Sequence, residues 1–206
     1  MQRQLTKEIN MYTRATYLFE AGNHVQAVCF YIHYDGYESG AAGYFAAMLS
    51  KGLTRGGWAG SFVRANELAE FTGSHASHGD TEYRYTVSVF DGHLQLRVDS
   101  RVSWSSEEWR CTYVGRLVAF VNKHQSVRFV SIGGGDAASV AGYLDRIGGK
   151  LAQAQHHFRQ GWTGNAASLV SEARLLARVS PEDVGADTVA SLEAMEREIT
   201  AKFATA

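Results

Sequence analysis

The chain has 206 residues, 45% of them apolar and 20% charged, with 20 basic against 21 acidic side chains. This is ordinary globular composition, so disorder is not the default expectation. The charge balance holds on either side of residue 136, so no basic tail or stripe is available for a phosphate backbone, and nucleic acid is disfavoured as a direct partner. Cys29 and Cys111 form no CxxC pair, the first ten residues lack an apolar signal core, and no apolar window is long enough to span a membrane, so the expectation is a reduced, cytoplasmic protein.

Thr13 to Glu20 alternates as a strand, with Ala15, Tyr17 and Phe19 on one face. Turn chemistry at 21–24 precedes the apolar run Val25 to Ile32, which predicts a central strand in a hairpin with the first. Ala41 to Lys51 reads as a helix. Ser61 reads as the cap of a second helix running to Phe71, followed by a loop over 72–80. Glu82 to Phe90 and His93 to Arg101 are strands joined by Asp91-Gly92, a strong type I′ hairpin signal. Trp109 to Val114 predicts another strand, Leu117 to His124 a short helix, and Ser126 to Ile132 a last strand ending in three glycines.

From Asp136 the period turns helical. Val140, Leu144, Ile147, Leu151, Ala154 and Phe158 form one apolar seam. A second helix is expected from Ala166 to Val179, and a third after Ser180-Pro181, striped by Val189, Leu192, Met195, Ile199 and Phe203. The fold class is therefore α+β: a mainly antiparallel sheet with two to three helices over 1–135, then a three-helix segment over 136–206. Narrow apolar seams on the last three helices suggest packing among themselves or a homodimer through them.

Candidate chemistry is sparse. His33 and Asp35 lie where a buried strand exits into a loop, and an imidazole near a carboxylate suits base work. Arg14 on the neighbouring strand and Tyr37 join them as candidate binding residues. His75 and His78, with Asp80, have loop spacing suggestive of metal but too few ligands for a structural zinc site. Gly133-Gly134-Gly135-Asp136 sits between strand and helix yet lacks the full phosphate-loop patterns. Trp104 and Trp109, interleaved with Arg101 and Arg110 but also with Glu107 and Glu108, read as sheet packing or a protein interface rather than a base-stacking platform. No cofactor and no metal are expected.

Thr13-Arg14-Ala15-Thr16-Tyr17-x-Phe19, followed by His33-Tyr34-Asp35-Gly36-Tyr37 and Gly40-Ala41-Ala42, resembles a set of uncharacterised small proteins of phages, prophages and plasmids. Where that pattern commonly has proline after the tyrosine, this chain has Glu38. The resemblance carries no catalytic residues. It implies a mobile-element protein acting in a bacterial host, non-enzymatic, that binds and inhibits a host defence complex such as CRISPR-Cas. The alternative is a small hydrolase or nucleotide-binding protein centred on His33 and Asp35.

Overall fold

The computed structural model describes residues 13–20, 26–133 and 136–205. The turn at 21–24 and the central glycines 134 and 135 lie outside the described residues. The chain forms two compact units. One holds the residues up to Val127 with Asp136; the other holds Arg128–Gly133 and the residues from Ala137 onward. The division falls before the strand that ends at Gly133 rather than at 135/136.

The first unit is α+β. Its elements are β1 (Ala15–Phe19), β2 (Val28–Ile32), α1 (Glu38–Lys51), α2 (Gly57–Ala65), β3 (Glu70–Thr72), β4 (Tyr83–Phe90), β5 (His93–Arg101), β6 (Trp109–Arg116) and α3 (Leu117–His124). The six strands form one sheet in the order β3-β2-β1-β4-β5-β6. Every neighbouring pair is antiparallel except β1 and β4, which run parallel.

The alternation read in β1 decides which face is core. Ala15, Tyr17 and Phe19 are buried on the helix side together with Phe30, Tyr85, Val87, Leu96 and Val98 from the neighbouring strands. The Tyr17 ring lies 5.0 Å from that of Tyr85 at an interplanar angle of 12°, and Phe45 and Phe62 from the helices close over it at 5.7 and 5.0 Å. Offset and edge-on aromatic contacts of this kind add to the area they remove from water.

At the turn before α1, the Gly36 amide donates to the Thr13 carbonyl at 2.7 Å, and the Tyr85 hydroxyl donates to the Gly36 carbonyl at 2.7 Å. A Cβ on Gly36 would stand 2.8 Å from Ala15 Cβ and from the Thr13–Arg14 backbone just before β1, so only glycine lets the turn approach. Asp35 holds a φ of +51°, a left-handed conformation that aspartate tolerates better than most residues.

Several local expectations are corrected. α1 begins at Glu38, not Ala41. Ser61 does not cap α2; it sits inside that helix, its hydroxyl donating to the Gly52 carbonyl at 2.7 Å and contacting the Gly57 carbonyl at 3.1 Å. Asn66 ends α2 by donating its side-chain amide to the Phe62 carbonyl at 2.8 Å. Glu70 and Phe71, read as the end of that helix, and Thr72, read as loop, instead pair with β2 as an edge strand. The β4–β5 turn is as expected, with Asp91 at φ +49° and Gly92 at φ +69°. A register shift between Val98 and Asp99 leaves Thr112 as a bulge and brings Trp109 opposite Arg101.

β7 (Phe129–Gly133) and β8 (Asp136–Ser139) form a two-stranded sheet, all of it but Asp136 in the second unit. Asp136 therefore begins a strand, and Ser139 caps α4 (Val140–Arg159) by accepting from the Gly142 amide. α5 (Thr163–Ala177) follows. Ser180 caps no helix: its hydroxyl bonds to Glu182 and Asp183, both at 2.6 Å, in a 3-10 turn, and α6 (Ala186–Ala204) starts later. Tyr143, Ile147, Ala154, Val170, Leu192, Met195 and Ile199 bury the three seams in one shared core. Among the described residues no helix is long and apolar enough to cross a membrane.

Two glycines in helices respond in opposite directions to alanine. Gly148 in α4 has nothing within 4 Å of an added Cβ, so Gly148→Ala raises the unfolding free energy by about 1 kcal/mol. In Gly40→Ala the new methyl meets the Asp35 carbonyl, and stability falls by about 1–3 kcal/mol despite the better helix propensity. Urea titrations of the two variants check the signs, and stabilisation by Gly40→Ala would contradict the packing at the turn.

Candidate functional site

The face of the sheet away from the helices is built by the alternate residues of the same strands. Pairing registers align Glu70, Tyr31, Thr16, Arg84, Asp99 and Cys111 as one row across all six strands. Beside it lie Arg14 and, on β5 and β6, Arg101 opposite Trp109. These are polar and aromatic positions in strands whose other face is apolar, the pattern of a half-buried sheet.

The loop after β3 crosses this face. Ser74 caps a 3-10 turn at His75–Ser77. His75 places Nδ1 2.7 Å from Thr16 Oγ1 and Nε2 3.0 Å from Thr86 Oγ1, so both ring nitrogens are used on threonine hydroxyls. Burial, helped by the positive charge of Arg84, pushes its pKa down to about 4 and keeps it neutral. His78 lies flat on Tyr31, ring centres 3.8 Å apart and planes 5° apart. Tyr31 donates its hydroxyl to Asp80 at 3.0 Å, and Arg14 Nε lies 3.3 Å from the same carboxylate oxygen. Burial first, then the bond to Asp80, pushes the Tyr31 phenol up to about 12. Among the described residues no group of three or more histidine, cysteine or acidic side chains could hold a metal.

A recess lies beside this loop, with a volume of about 180 Å³ and lined by Ala76, His78, Gly79, Arg84, Arg101, Glu107 and Trp109. The Arg84 guanidinium stacks on the Trp109 ring at 3.7 Å. Arg101 lies 5.3 Å from the Trp104 ring and 5.9 Å from that of Trp109. Contacts at such distances combine dispersion with attraction to the ring quadrupole. Trp104 itself is 60% exposed.

The residues singled out in the sequence thus separate into two groups. Arg14, Trp104 and Trp109 belong to the open face or its rim. His33 extends the same strand, its ring 4.6 Å from that of Tyr31 and its Nε2 3.4 Å from Glu70 Oε1. Asp35 and Tyr37 serve the turn: the Tyr37 phenol is hydrogen-bonded to the Asp35 carboxylate, and Tyr37 stands at the start of α1. No contact joins His33 to Asp35, and the Arg14 side chain pairs with Asp80 instead. Tyr31 and Arg84 were missed in the sequence, and His78 and Asp80 were weighed only as metal ligands; alternation within β4 was the signal that would have put Arg84 on the face opposite Tyr85.

The neutral His75 makes stability depend on pH. Its folded pKa of about 4 lies below the ordinary value of 6.5, so the contribution is complete above pH 6.5 and is lost as pH falls toward 4. Allowing for its partial exposure, the loss amounts to about 2 kcal/mol. His75→Gln flattens the stability profile between pH 6.5 and 4 in chemical denaturation. Parallel profiles for the two proteins would mean that His75 is not held neutral.

Compared with known families, curated proteins and solved structures, the chain matches none.

Proposed function

We propose that this chain is a binding protein that acts through the open sheet face and the loop over it, engaging a protein partner. The reading rests on one observation: Arg84, Arg101, Trp104 and Trp109 gather where neither the helices nor the 74–80 loop fully covers the sheet. Trp, Tyr and Arg are the residue types that dominate binding energy at protein interfaces, because each combines large contact area with a polar or charged end. The polar groups around them are mostly engaged with one another, as in Arg14–Asp80–Tyr31 and in Arg97–Asp99, where Arg97 Nε and Nη2 reach the carboxylate at 2.8 and 2.7 Å. Such pre-formed contacts hold the surface in place and lower the ordering cost of binding.

The identity of the partner is the finer part of the proposal, and the likeness of Thr13–Ala42 to phage and plasmid proteins supports it: a host defence complex such as CRISPR-Cas, which the bound protein would inhibit. A hydrolase centred on His33 and Asp35 has less support, because His33 faces Glu70 and Asp35 accepts from Tyr37.

The test compares wild type, Trp104→Ala and the Trp104→Ala/Trp109→Ala pair in quantitative pull-down against purified host effector complexes, with Trp162→Ala as a control in the other unit. Loss of two interface anchors weakens partner binding by about 30-fold or more, while the control binds as wild type. A double variant that melts like wild type and retains full binding would defeat the assignment of this face. For the finer reading, the purified protein is expected to slow target cleavage by the captured effector; unchanged cleavage at saturating protein would count against inhibition.

A further inference from the structure

We infer that the recess bounded by Arg84, Arg101, Glu107 and Trp109 is a carboxylate-binding site, which takes an aspartate or glutamate side chain of a protein partner. This deepens the reading of the open face as a protein-binding surface, and it rests on that reading.

Arg84 is the centre of the site. Its guanidinium has no hydrogen-bond acceptor and no ion pair among the described residues, and its Nε is sealed from solvent without a partner. Arg84 lines the recess. Stacking on Trp109 holds the guanidinium plane but supplies no acceptor for its N–H groups. Donors held in a fixed planar fork and left without acceptors match a carboxylate that can take two of them at once.

The charge around Arg84 is only partly compensated, by Asp99 and Glu107 against the like charge of Arg101. Arg101 gives Nε to the Ser106 carbonyl at 3.1 Å and Nη1 to the Gly79 carbonyl, both neutral acceptors. Asp99, the acid paired with Arg84 across β4 and β5, is already taken by Arg97 in a two-pronged bond. Asp80 is taken by Arg14 and Tyr31. Glu107 is the one acid in the lining, so two guanidinium groups and one carboxylate leave a single positive charge. That balance suits a monoanion better than a phosphate dianion. The volume of about 180 Å³ is below the roughly 300 Å³ at which small-molecule sites begin, and it accommodates one acidic side chain rather than a nucleotide.

The experiment follows the Arg84 Nε–H and Trp109 indole N–H resonances of the ¹⁵N-labelled full chain. The probes, at constant ionic strength, are acetyl-Gly-Glu-Gly-amide, its glutamine counterpart and inorganic phosphate. Saturable shifts of both resonances with the glutamate peptide are expected, with at least tenfold weaker responses to the glutamine peptide. Arg84→Lys, which keeps the charge but loses the fork, weakens the response several-fold, and Arg101→Gln lowers it as well. The proposal is overturned if the glutamate peptide produces no saturable shift, if the glutamine peptide matches it, or if phosphate binds more tightly. The comparison of probes on the wild-type chain stands even if a variant fails to fold. A silent recess in a protein that still loses its partner on Trp104→Ala/Trp109→Ala would overturn the carboxylate site alone. Peptide binding in a protein whose partner ignores those substitutions would overturn the open-face reading alone.

Discussion

The close approach of Gly36 to β1 is the contact on which the first unit depends. One amide–carbonyl bond to Thr13 and one hydroxyl bond from Tyr85 tie the exit of β2 across β1 to β4. The approach works only because position 36 has no Cβ and position 40 leaves room for the Asp35 carbonyl. With the turn held there, α1 starts at Glu38, and Phe45 and Met48 come down on the sheet. Thr13, Ala15, Asp35, Gly36, Tyr37 and Gly40 are largely the residues this contact uses. Their pattern records a way of packing a turn.

Fixing one face of the sheet as core determines what the other can be. Side chains alternate along each strand, so every buried Tyr17 or Tyr85 leaves Thr16 or Arg84 on the opposite side. The loop at 74–80 covers part of that surface through neutral bonds from His75 to two threonines and a flat stack of His78 on Tyr31. A charged His75 would carry its charge in a desolvated site beside the positive Arg84, which is the physical cause of its lowered pKa. Most polar groups on this face are paired. Arg84 Nε is buried without a partner among the described residues, and its guanidinium stacks on Trp109 beside the recess.

The second unit solves a simpler problem. Three helices each carry an apolar seam too narrow to be stable alone, and burying the seams against each other satisfies them. Tyr143 adds direction to that core, donating its hydroxyl to the Leu176 carbonyl at 2.6 Å and accepting the Ser180 amide at 3.3 Å. Ion pairs join the helices at the surface, Lys150 to Glu172 and Arg174 to Glu196, and at exposed positions they contribute little.

Local chemistry was enough to determine the α+β class, the strand of alternating aromatics at Tyr17, the Asp91-Gly92 hairpin and the helical C-terminal third, because each depends on periodicity or turn preference within a few residues. Sequence also identified Arg14, His33, Trp104 and Trp109 as unusual. It could not say that β1 lies between β2 and β4, that Glu70 and Phe71 leave a helical pattern to pair with β2, or that a bulge at Thr112 turns Trp109 toward Arg101. Those outcomes depend on which strand finds which neighbour, a competition among distant segments that no local preference resolves. For the same reason Asp35 looked like a partner for His33 when read along the chain. Only in three dimensions does a left-handed turn give its carboxylate to Tyr37, while Asp80, far away in sequence, meets Arg14 and Tyr31.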